Sequence, residues 1–197
     1  MSGSSALAPV RRPRWAVAAA LLCLGAALPP DDMDVPVARQ VPLLTRVLSF
    51  DRSLGGPAHL VIAVVYQDRN RASRHTYDAF VQAVAARSPT VQGRPVRVAP
   101  VELGATSSVT GRLRSMGADV AYVAPLRGVD VRALARGAAG EGVLTLTGVR
   151  RYVDAGVAVG IGLRDGRPEI LLNRRAADAA GADLSARLLQ LATIVDA

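Results

Sequence analysis

Histidine and acidic side chains are the groups of this chain that could support acid–base or metal chemistry. The two histidines, His59 and His75, stand sixteen positions apart. His75 and Asp78 are one helical turn apart and could share a metal ion, but two ligands without a third are more typical of a solvated helix face. The sequence therefore predicts no catalytic residue, no cofactor and no metal site. An enzyme formed by spatial convergence of Ser, His and Asp is the least favoured class.

Two other features have a chemical interpretation and a structural one. "GIGLRDG" partly matches a dinucleotide-binding loop, but its third glycine comes one position late and it does not open a helix. Asp51 and Arg52, in "SFDRSL", could form a buried ion pair or a loop anchor. They also fit a helix end, where an exposed Arg suits the negative C-terminus and Asp suits a turn. The sequence favours the helix end.

The positive charge of the chain does not predict a nucleic-acid partner. The formal net charge is +8, and all 24 basic residues are Arg. Apart from Arg11, Arg12 and Arg14 near the start, these residues are scattered among Asp and Glu in runs of two at most. A phosphate-binding surface usually shows a concentrated basic patch, so nucleic acid is not expected as a partner.

The first residues have the pattern of a secretory signal peptide. A basic start is followed by an apolar run from Trp15 to Leu28, with small residues before a plausible cleavage point after Ala27. A run of about fourteen residues is shorter than a membrane-spanning helix requires, which favours export over a retained anchor. Leu22 before Cys23 does not match a lipoprotein site. We expect residues 1–27 to be removed, leaving an exported protein without cysteine.

The remaining chain predicts one α/β domain. Continuous Val- and Ile-rich runs such as 59–67 are typical of strands buried on both faces, and they alternate with helical segments. This alternation predicts a mostly parallel sheet of about five or six strands with helices on both faces. Pro42 is tolerated only in a first turn, so the first helix is expected to begin near Val41. Residues 28–40 are expected to be a mobile segment, and 41–197 the domain.

The C-terminal third predicts a different arrangement. Two strand-like runs flank Asp165 and Gly166, a pair favoured in tight hairpin turns. Two closing helices are expected at about 174–180 and 184–195. Ser73, Asn173 and Ser185 are the expected helix caps, and Asn173→Ala should cost about 1 kcal/mol, as a lost cap does.

A candidate partner surface follows from the parallel sheet. Ligands and partners of open parallel sheets meet the carboxyl ends of the strands, where loops emerge. Ordinary connecting loops are the competing interpretation. The residues expected there are Tyr66, Gln67, Asp68, Ser107, Ser108, Pro125, Leu126, Arg127, Arg150 and Arg151.

Several segments together resemble a known family. "VPLLTRVLSFDRSL", "LVIAVVYQ", "ADVAYVAPL", "GVLTLTG" and above all "VGIGLRDGRPEILLNRRAADAAGADLSARLLQLATIV" are similar, in that order, to the YfiR-like family of small exported bacterial proteins. The resemblance implies a non-enzymatic periplasmic regulator. The best-known member holds an inner-membrane diguanylate cyclase inactive, and an outer-membrane partner can relieve that inhibition. This sequence lacks the cysteines that could give a redox response and the aromatic-rich N-terminal helix common in the family.

The leading hypothesis is therefore a periplasmic protein that binds and restrains the periplasmic part of an inner-membrane sensor, with an outer-membrane protein as a further partner. The sensor implied by the resemblance is a diguanylate cyclase, which connects the protein to cyclic di-GMP signalling and biofilm formation. The alternative is a small-ligand-binding lobe resembling half of a periplasmic solute-binding protein, feeding a transporter or sensor kinase. The sequence leaves homo-oligomer formation open.

Overall fold

The structure is a computed structural model that describes residues 33–56, 58–104 and 108–195. These residues form one open, mostly parallel sheet with helices on both faces, which confirms the expected α/β class. The strands are β1 (Leu60–Tyr66), β2 (Thr90–Val91), β3 (Arg94–Glu102), β4 (Val120–Val123), β5 (Leu144–Thr147), β6 (Val159–Arg164), β7 (Arg167–Leu172) and β8 (Ala192–Ile194). The helices are α1 (Val37–Leu48), α2 (Arg71–Arg87), α3 (Val109–Ser115), α4 (Val131–Gly140), α5 (Arg150–Asp154), α6 (Arg174–Ala179) and α7 (Ala186–Leu191).

The strand order across the sheet is β2-β3-β1-β4-β5-β6-β7-β8. Pairing is parallel from β3 through β6 and again between β7 and β8, whereas β2–β3 and β6–β7 are antiparallel. The predicted hairpin is confirmed as β6–β7. Asp165 and Gly166 have φ values of 51° and 73°, the left-handed pair that a tight hairpin turn requires.

The core has one layer on each face of the sheet. Residues of α1 and α2 pack on one face, where the rings of Phe80 and Tyr122 lie 4.6 Å apart. Residues of α3, α4 and α5 pack on the other face. Small aliphatic residues fill most of both layers, as the low aromatic content predicts.

A buried polar contact fixes α1 on the sheet. The side chain of Gln40 is fully buried; its Nε2 donates to the carbonyl oxygen of Val35 at 2.5 Å and its Oε1 accepts from the Tyr122 hydroxyl at 2.9 Å. Gly148 makes room for this amide, since a Cβ there would lie 2.3 Å from Gln40 Nε2. Burial raises the pKa of the Tyr122 hydroxyl, which therefore stays a neutral donor.

A buried arginine, Arg94, connects the amino ends of the central strands through hydrogen bonds. Arg94 donates to the carbonyl oxygens of Leu54, Ala58 and His59 at 2.6, 3.0 and 2.7 Å. Its guanidinium also lies 3.2 Å from Asp119, whose other oxygen accepts from the N–H of Val61 at 2.7 Å. This network holds the segment before β1 against the start of β4.

The boundaries of α1 and the last helix differ from expectation. Helix α1 begins at Val37 and contains Pro42, which is exposed, so the expected start near Val41 is wrong. The described part of the segment 28–40 includes buried Val35 and Gln40. The expected helix 184–195 is also wrong beyond residue 191. Residues 192–194 instead pair with β7 in parallel register, because they offer a short strand with Thr and Ile to an otherwise unpaired sheet edge.

The segment after α1 is a loop anchor, so the favoured helix-end interpretation of Asp51 is wrong. Asp51 is fully buried, and its Oδ1 accepts from the N–H and hydroxyl of Ser53 and from the N–H of Asp183. Arg52 forms its exposed ion pair with Asp183 at 2.6 Å, which lowers the pKa of that carboxyl. An antiparallel bridge between Asp51 and Leu184 completes the contact. Local residue spacing could not predict this contact, because Asp183 lies 132 positions from Asp51 in the chain.

The three expected caps have three different outcomes. Asn173 caps α6, its Oδ1 accepting from the N–H of Ala176 at 3.0 Å, as predicted. Ser73 does not cap α2, because that helix begins three residues earlier than a cap at Ser73 would require and is capped by Asn70. Ser185 occupies the position before α7, but its buried hydroxyl has no hydrogen-bond partner in the described structure.

Candidate functional site

The strand order creates a switch point between β1 and β4. From β1 the chain crosses to β3 on one side, and from β4 it continues to β5 on the other. In open α/β sheets the loops diverge at such a point and leave a crevice beyond the carboxyl ends of the two strands. The residues that follow β1 and β4 are therefore those that could contact a ligand or partner.

Gln67 joins the two loops at the switch point. Its Nε2 donates to the carbonyl oxygen of Arg127 at 2.9 Å, and its Oε1 accepts from the N–H of Arg127 at 2.8 Å. Its own N–H donates to the buried Ser73 hydroxyl at 2.9 Å. These three bonds fix both loops in one arrangement, so the crevice is preformed.

The crevice opens into a cleft of about 1010 Å³ at the N-terminus of α2. Asp68 is paired with Arg74, which also contacts Asp78 at 3.2 Å. The guanidinium groups of Arg69, Arg71 and Arg127 form no hydrogen bond with the residues that the structure describes. The cleft therefore offers positive groups at its rim to an anionic or amphoteric ligand. Its lining residues are Gln67, Asp68, Arg69, Asn70, Arg71, Ala72, His75, Glu102, Leu103, Gly104 and Arg127.

The apolar members of the expected partner surface do not face solvent. Tyr66 is buried and stacks on Tyr77, with ring centroids 4.3 Å apart. Pro125 and Leu126 are also buried, and the backbone N–H of Leu126 donates to the Tyr152 hydroxyl at 2.8 Å. These three residues therefore offer no exposed apolar contact, since Tyr77 covers Tyr66 and the loop after β4 folds over α5.

The polar members lie at the carboxyl edge in several settings. Gln67, Asp68 and Arg127 line the cleft, while Ser108 caps α3 by accepting from the N–H of Gly111. Ser107 lies outside the described residues. Arg150 and Arg151 are exposed on the first turn of α5, a helix that the sequence did not predict.

The two histidines lie in different places. His75 borders the cleft, and its helix neighbour Asp78 pairs with Arg74. His59 precedes β1 at the amino end of the sheet. Across residues 33–56, 58–104 and 108–195, no three His, Cys, Asp or Glu side chains come together as metal ligands could.

A second surface, which the sequence pattern did not predict, lies at the edge strand β8. Leu191 and Ile194 are 55% and 41% exposed and are the exposed large hydrophobic residues of the described chain. Leu191 lines a groove of about 630 Å³ between α1 and the β6–β7 hairpin, together with Leu43 and Phe50. The run "LATIV" could have indicated this strand, since Thr, Ile and Val favour a strand over a helix end.

Charged side chains surround this edge. Glu169 accepts from Arg150 and lies 2.9 Å from Arg164, and its other contact is the Thr193 hydroxyl at 3.2 Å. Burial alone would raise the pKa of Glu169, but the hydrogen bonds from Arg150 and Thr193 and the two positive charges lower it overall. The carboxylate is thus held ionised, and it neutralises part of the arginine charge.

Comparison with solved structures identifies the class of fold. The chain is similar to an ABC domain in complex with L-Trp from Streptococcus pneumonia, with 13% identity and a TM-score of 0.58. It is also similar to a ligand-free, open substrate-binding protein with adhesive properties from Clostridium difficile and to a conserved domain protein from Vibrio cholerae, each with 15% identity and a TM-score of 0.55. Each match covers 82% of this chain and 60% of the other. At these identities the likeness concerns the fold alone.

Comparison with family models gives the family. Residues 55–193 match the YfiR/HmsC-like model, so the chain belongs to the YfiR/HmsC-like family. This membership confirms the resemblance predicted from the sequence and supports a regulatory rather than catalytic role in the periplasm in general terms. The search of curated proteins gave no match. The predicted signal peptide lies outside the described residues, and no helix among those residues is long and apolar enough to cross a membrane.

Proposed function

We propose that this protein binds the periplasmic part of an inner-membrane sensor, a diguanylate cyclase, and holds it in its inactive state. Membership of the YfiR/HmsC-like family supports a regulator. The observation that carries protein binding is the exposure of two large apolar residues three positions apart, Leu191 at the end of α7 and Ile194 in the edge strand β8. Exposed large apolar groups that lie together mark protein-interaction surfaces more often than solitary ones do.

The regulator acts in this proposal by population shift. A protein that binds the inactive state of the cyclase better than the active state moves the equilibrium by the ratio of the two affinities. A shift from about 99% active to about 99% inactive requires about a 10⁴-fold preference. In this proposal an outer-membrane protein relieves the inhibition by competing with the cyclase for the regulator. The polar carboxyl-edge residues form a second proposed contact region, comprising Gln67, Asp68, Ser108, Arg127, Arg150 and Arg151.

Capture followed by an activity measurement tests the proposal. The tagged mature protein is used to isolate partners from envelope extracts, with Leu191→Glu as the matched variant. A captured cyclase is then purified in detergent, and its turnover of GTP to cyclic di-GMP is measured with and without the protein. We expect turnover to fall with the wild-type protein. Unchanged turnover at saturating protein, or capture without any membrane sensor, would contradict the proposal.

A second candidate function is binding of a small solute in the cleft at the switch point. The Gln67–Arg127 contact favours it, and so do the cleft arginines, whose guanidinium groups bond to no residue that the structure describes. The structural neighbours, an ABC domain in complex with L-Trp and a substrate-binding protein, also support it. A thermal-shift screen with amino acids and small organic anions tests it. A rise of several degrees with one compound class, lost in Arg71→Ala, is expected for a ligand receptor, whereas a flat result favours the protein partner.

A further inference from the structure

We propose that the open edge of β8 is a strand-addition site for an extended segment of a protein partner in which apolar and acidic side chains alternate. The inference rests on the proposed function and deepens it by stating how the partner binds and what chemistry it presents. Three features of the described residues lead to it: an unpaired backbone edge, an apolar contact surface and an excess of arginine.

The backbone of β8 has unused hydrogen-bonding groups on its outer side. β8 is the last strand in the sheet order and pairs only with β7 among the described strands. The N–H of Val195 donates to the carbonyl oxygen of Leu172 at 2.8 Å, toward β7. Because successive N–H groups of a strand point to opposite sides, the N–H of Ile194 points to the open edge. An incoming strand can accept that hydrogen bond.

The opposite edge of the sheet is protected in a way that β8 is not. Strand β2 covers only the first two residues of β3 on that side, Arg94 and Pro95. The rest of the β3 edge contains Pro100, which lacks an N–H group, and the exposed Arg97. Proline and charged residues on an edge strand prevent pairing with other chains. β8 has neither in its three residues. The difference indicates that only the β8 edge is suited to strand addition.

The side chains around β8 provide the apolar part of the surface. Leu191 and Ile194 are exposed, and the adjoining groove is lined by Leu43, Phe50 and Ile170. Side chains of an added strand alternate between the two faces of the sheet, so every second residue would reach this groove. Main-chain bonds give affinity in such complexes, and the pockets for alternate side chains give specificity.

Charge selects among the possible occupants of this edge. Arg46, Arg164 and Arg167 line the groove with Asp165 and Glu169, and Arg150 reaches the same glutamate. Four arginines thus face two carboxylates. Two copies of this chain paired edge to edge would bring the arginine clusters together, which is unfavourable. An acidic segment neutralises the excess, so a partner strand with Asp or Glu between its apolar residues is preferred over a second copy.

Binding of synthetic peptides tests the site directly. The probes are fluorescein-labelled ten-residue peptides of alternating Val and Glu or, as the control, alternating Val and Lys. We expect the Val-Glu peptide to bind the mature protein at least roughly tenfold more tightly than the Val-Lys peptide, with affinity falling as salt rises. Hydrogen exchange should show that the Ile194 amide becomes protected when the Val-Glu peptide is added.

Variants separate the edge from the rest of the surface. Ile194→Glu should weaken binding of the Val-Glu peptide about tenfold or more, because it removes an apolar contact and adds a repelling charge. Ile194→Val is the conservative control and should bind like the wild type. Arg97→Glu on the opposite edge is the control for overall charge. Circular dichroism tests whether each variant is folded. If a variant is not folded, the hydrogen-exchange protection of the Ile194 amide in the wild type decides the question.

Several outcomes would overturn the inference. Equal binding of the two peptides, or binding without protection of Ile194, would exclude acidic strand addition at β8. Sedimentation of the wild type as a dimer that Ile194→Glu dissociates would assign the edge to a second copy. Binding to phosphatidylglycerol vesicles that Ile194→Glu abolishes would assign it to a membrane. If Ile194→Glu still inhibits the cyclase fully, the proposed function stands and the β8 assignment fails.

Discussion

Replacing Asn173 with Ala should destabilise the protein by about 2 kcal/mol, twice the cost expected of a lost cap alone. Its Oδ1 accepts from the N–H of Ala176 at 3.0 Å, and its Nδ2 donates to the carbonyl oxygen of Val153 at 3.1 Å. The residue is 3% exposed, so water cannot easily replace either bond. The cap contributes about 1 kcal/mol and the second bond about 1 kcal/mol. The second bond is not larger because Gly156 also donates to Val153.

Asn70 provides the matched control for this prediction. It caps α2 by accepting from the N–H groups of Ala72 and Ser73 at 3.1 and 3.4 Å, and its Nδ2 donates no hydrogen bond to another residue that the structure describes. Asn70→Ala should therefore cost about 1 kcal/mol. Urea denaturation of both variants and the wild type measures the difference. With an m-value of about 2 kcal/mol per M, Asn173→Ala should lower the midpoint by about 1 M and Asn70→Ala by about half as much.

The result that would refute this reasoning is an equal loss of stability in the two variants. Equal values would mean that the bond from Asn173 to Val153 contributes nothing and that only the cap matters. A third variant, Asn173→Asp, retains the acceptor and removes the donor. It should lie between the wild type and Asn173→Ala if the two bonds contribute separately, unless repulsion between the new carboxylate and the carbonyl of Val153 cancels the cap.

The remaining predictions concern the core and the pH dependence. Gly148→Ala should destabilise by more than about 2 kcal/mol in thermal or urea unfolding, because its Cβ would lie 2.3 Å from the buried amide of Gln40; an unchanged midpoint would show that the amide moves freely. Arg94→Ala should cost about 3 kcal/mol by urea unfolding, since it leaves Asp119 and three carbonyl groups without their buried partner; a loss below about 1 kcal/mol would contradict a structural role. The lowered pKa of Glu169 stabilises the fold above its unfolded-state pKa of about 4.5, and this contribution is lost as the pH falls through the lowered value. Glu169→Gln should therefore flatten the decline in Tm below about pH 4.5, and an unaltered profile would contradict that assignment.

Local patterns predicted those parts of the fold that depend on neighbouring residues. The β6–β7 hairpin follows from Asp165 and Gly166, whose left-handed backbone is accessible to these residue types. The cap at Asn173 follows from its position between a strand and a helix. The parallel sheet follows from the alternation of apolar strands and helices. In the hairpin and the cap the deciding interactions lie within a few positions along the chain, whereas for the sheet only the type of each strand and helix is set locally.

The candidate sites were predicted less completely. Gln67 and Arg127 were expected at the same edge of the sheet, and the structure shows that they hydrogen-bond to each other. The burial of Leu126 was not predictable, because it depends on Tyr152 and on α5, which is too short for a clear periodic pattern. The exposed edge at β8 was not predicted, because the helical spacing of the preceding leucines indicated a helix that continued to residue 195.

The sequence by itself determined the α/β class, the hairpin, the cap at Asn173 and the resemblance to the YfiR-like family, since these depend on periodicity, turn chemistry and motif order. Only the tertiary structure decided that Asp51 is a buried anchor, that residues 192–194 leave the helix to extend the sheet, and which apolar groups remain exposed. The physical reason is the same in each case: the partner that stabilises the residue lies far along the chain. Asp51 reaches Asp183, and β8 pairs with β7.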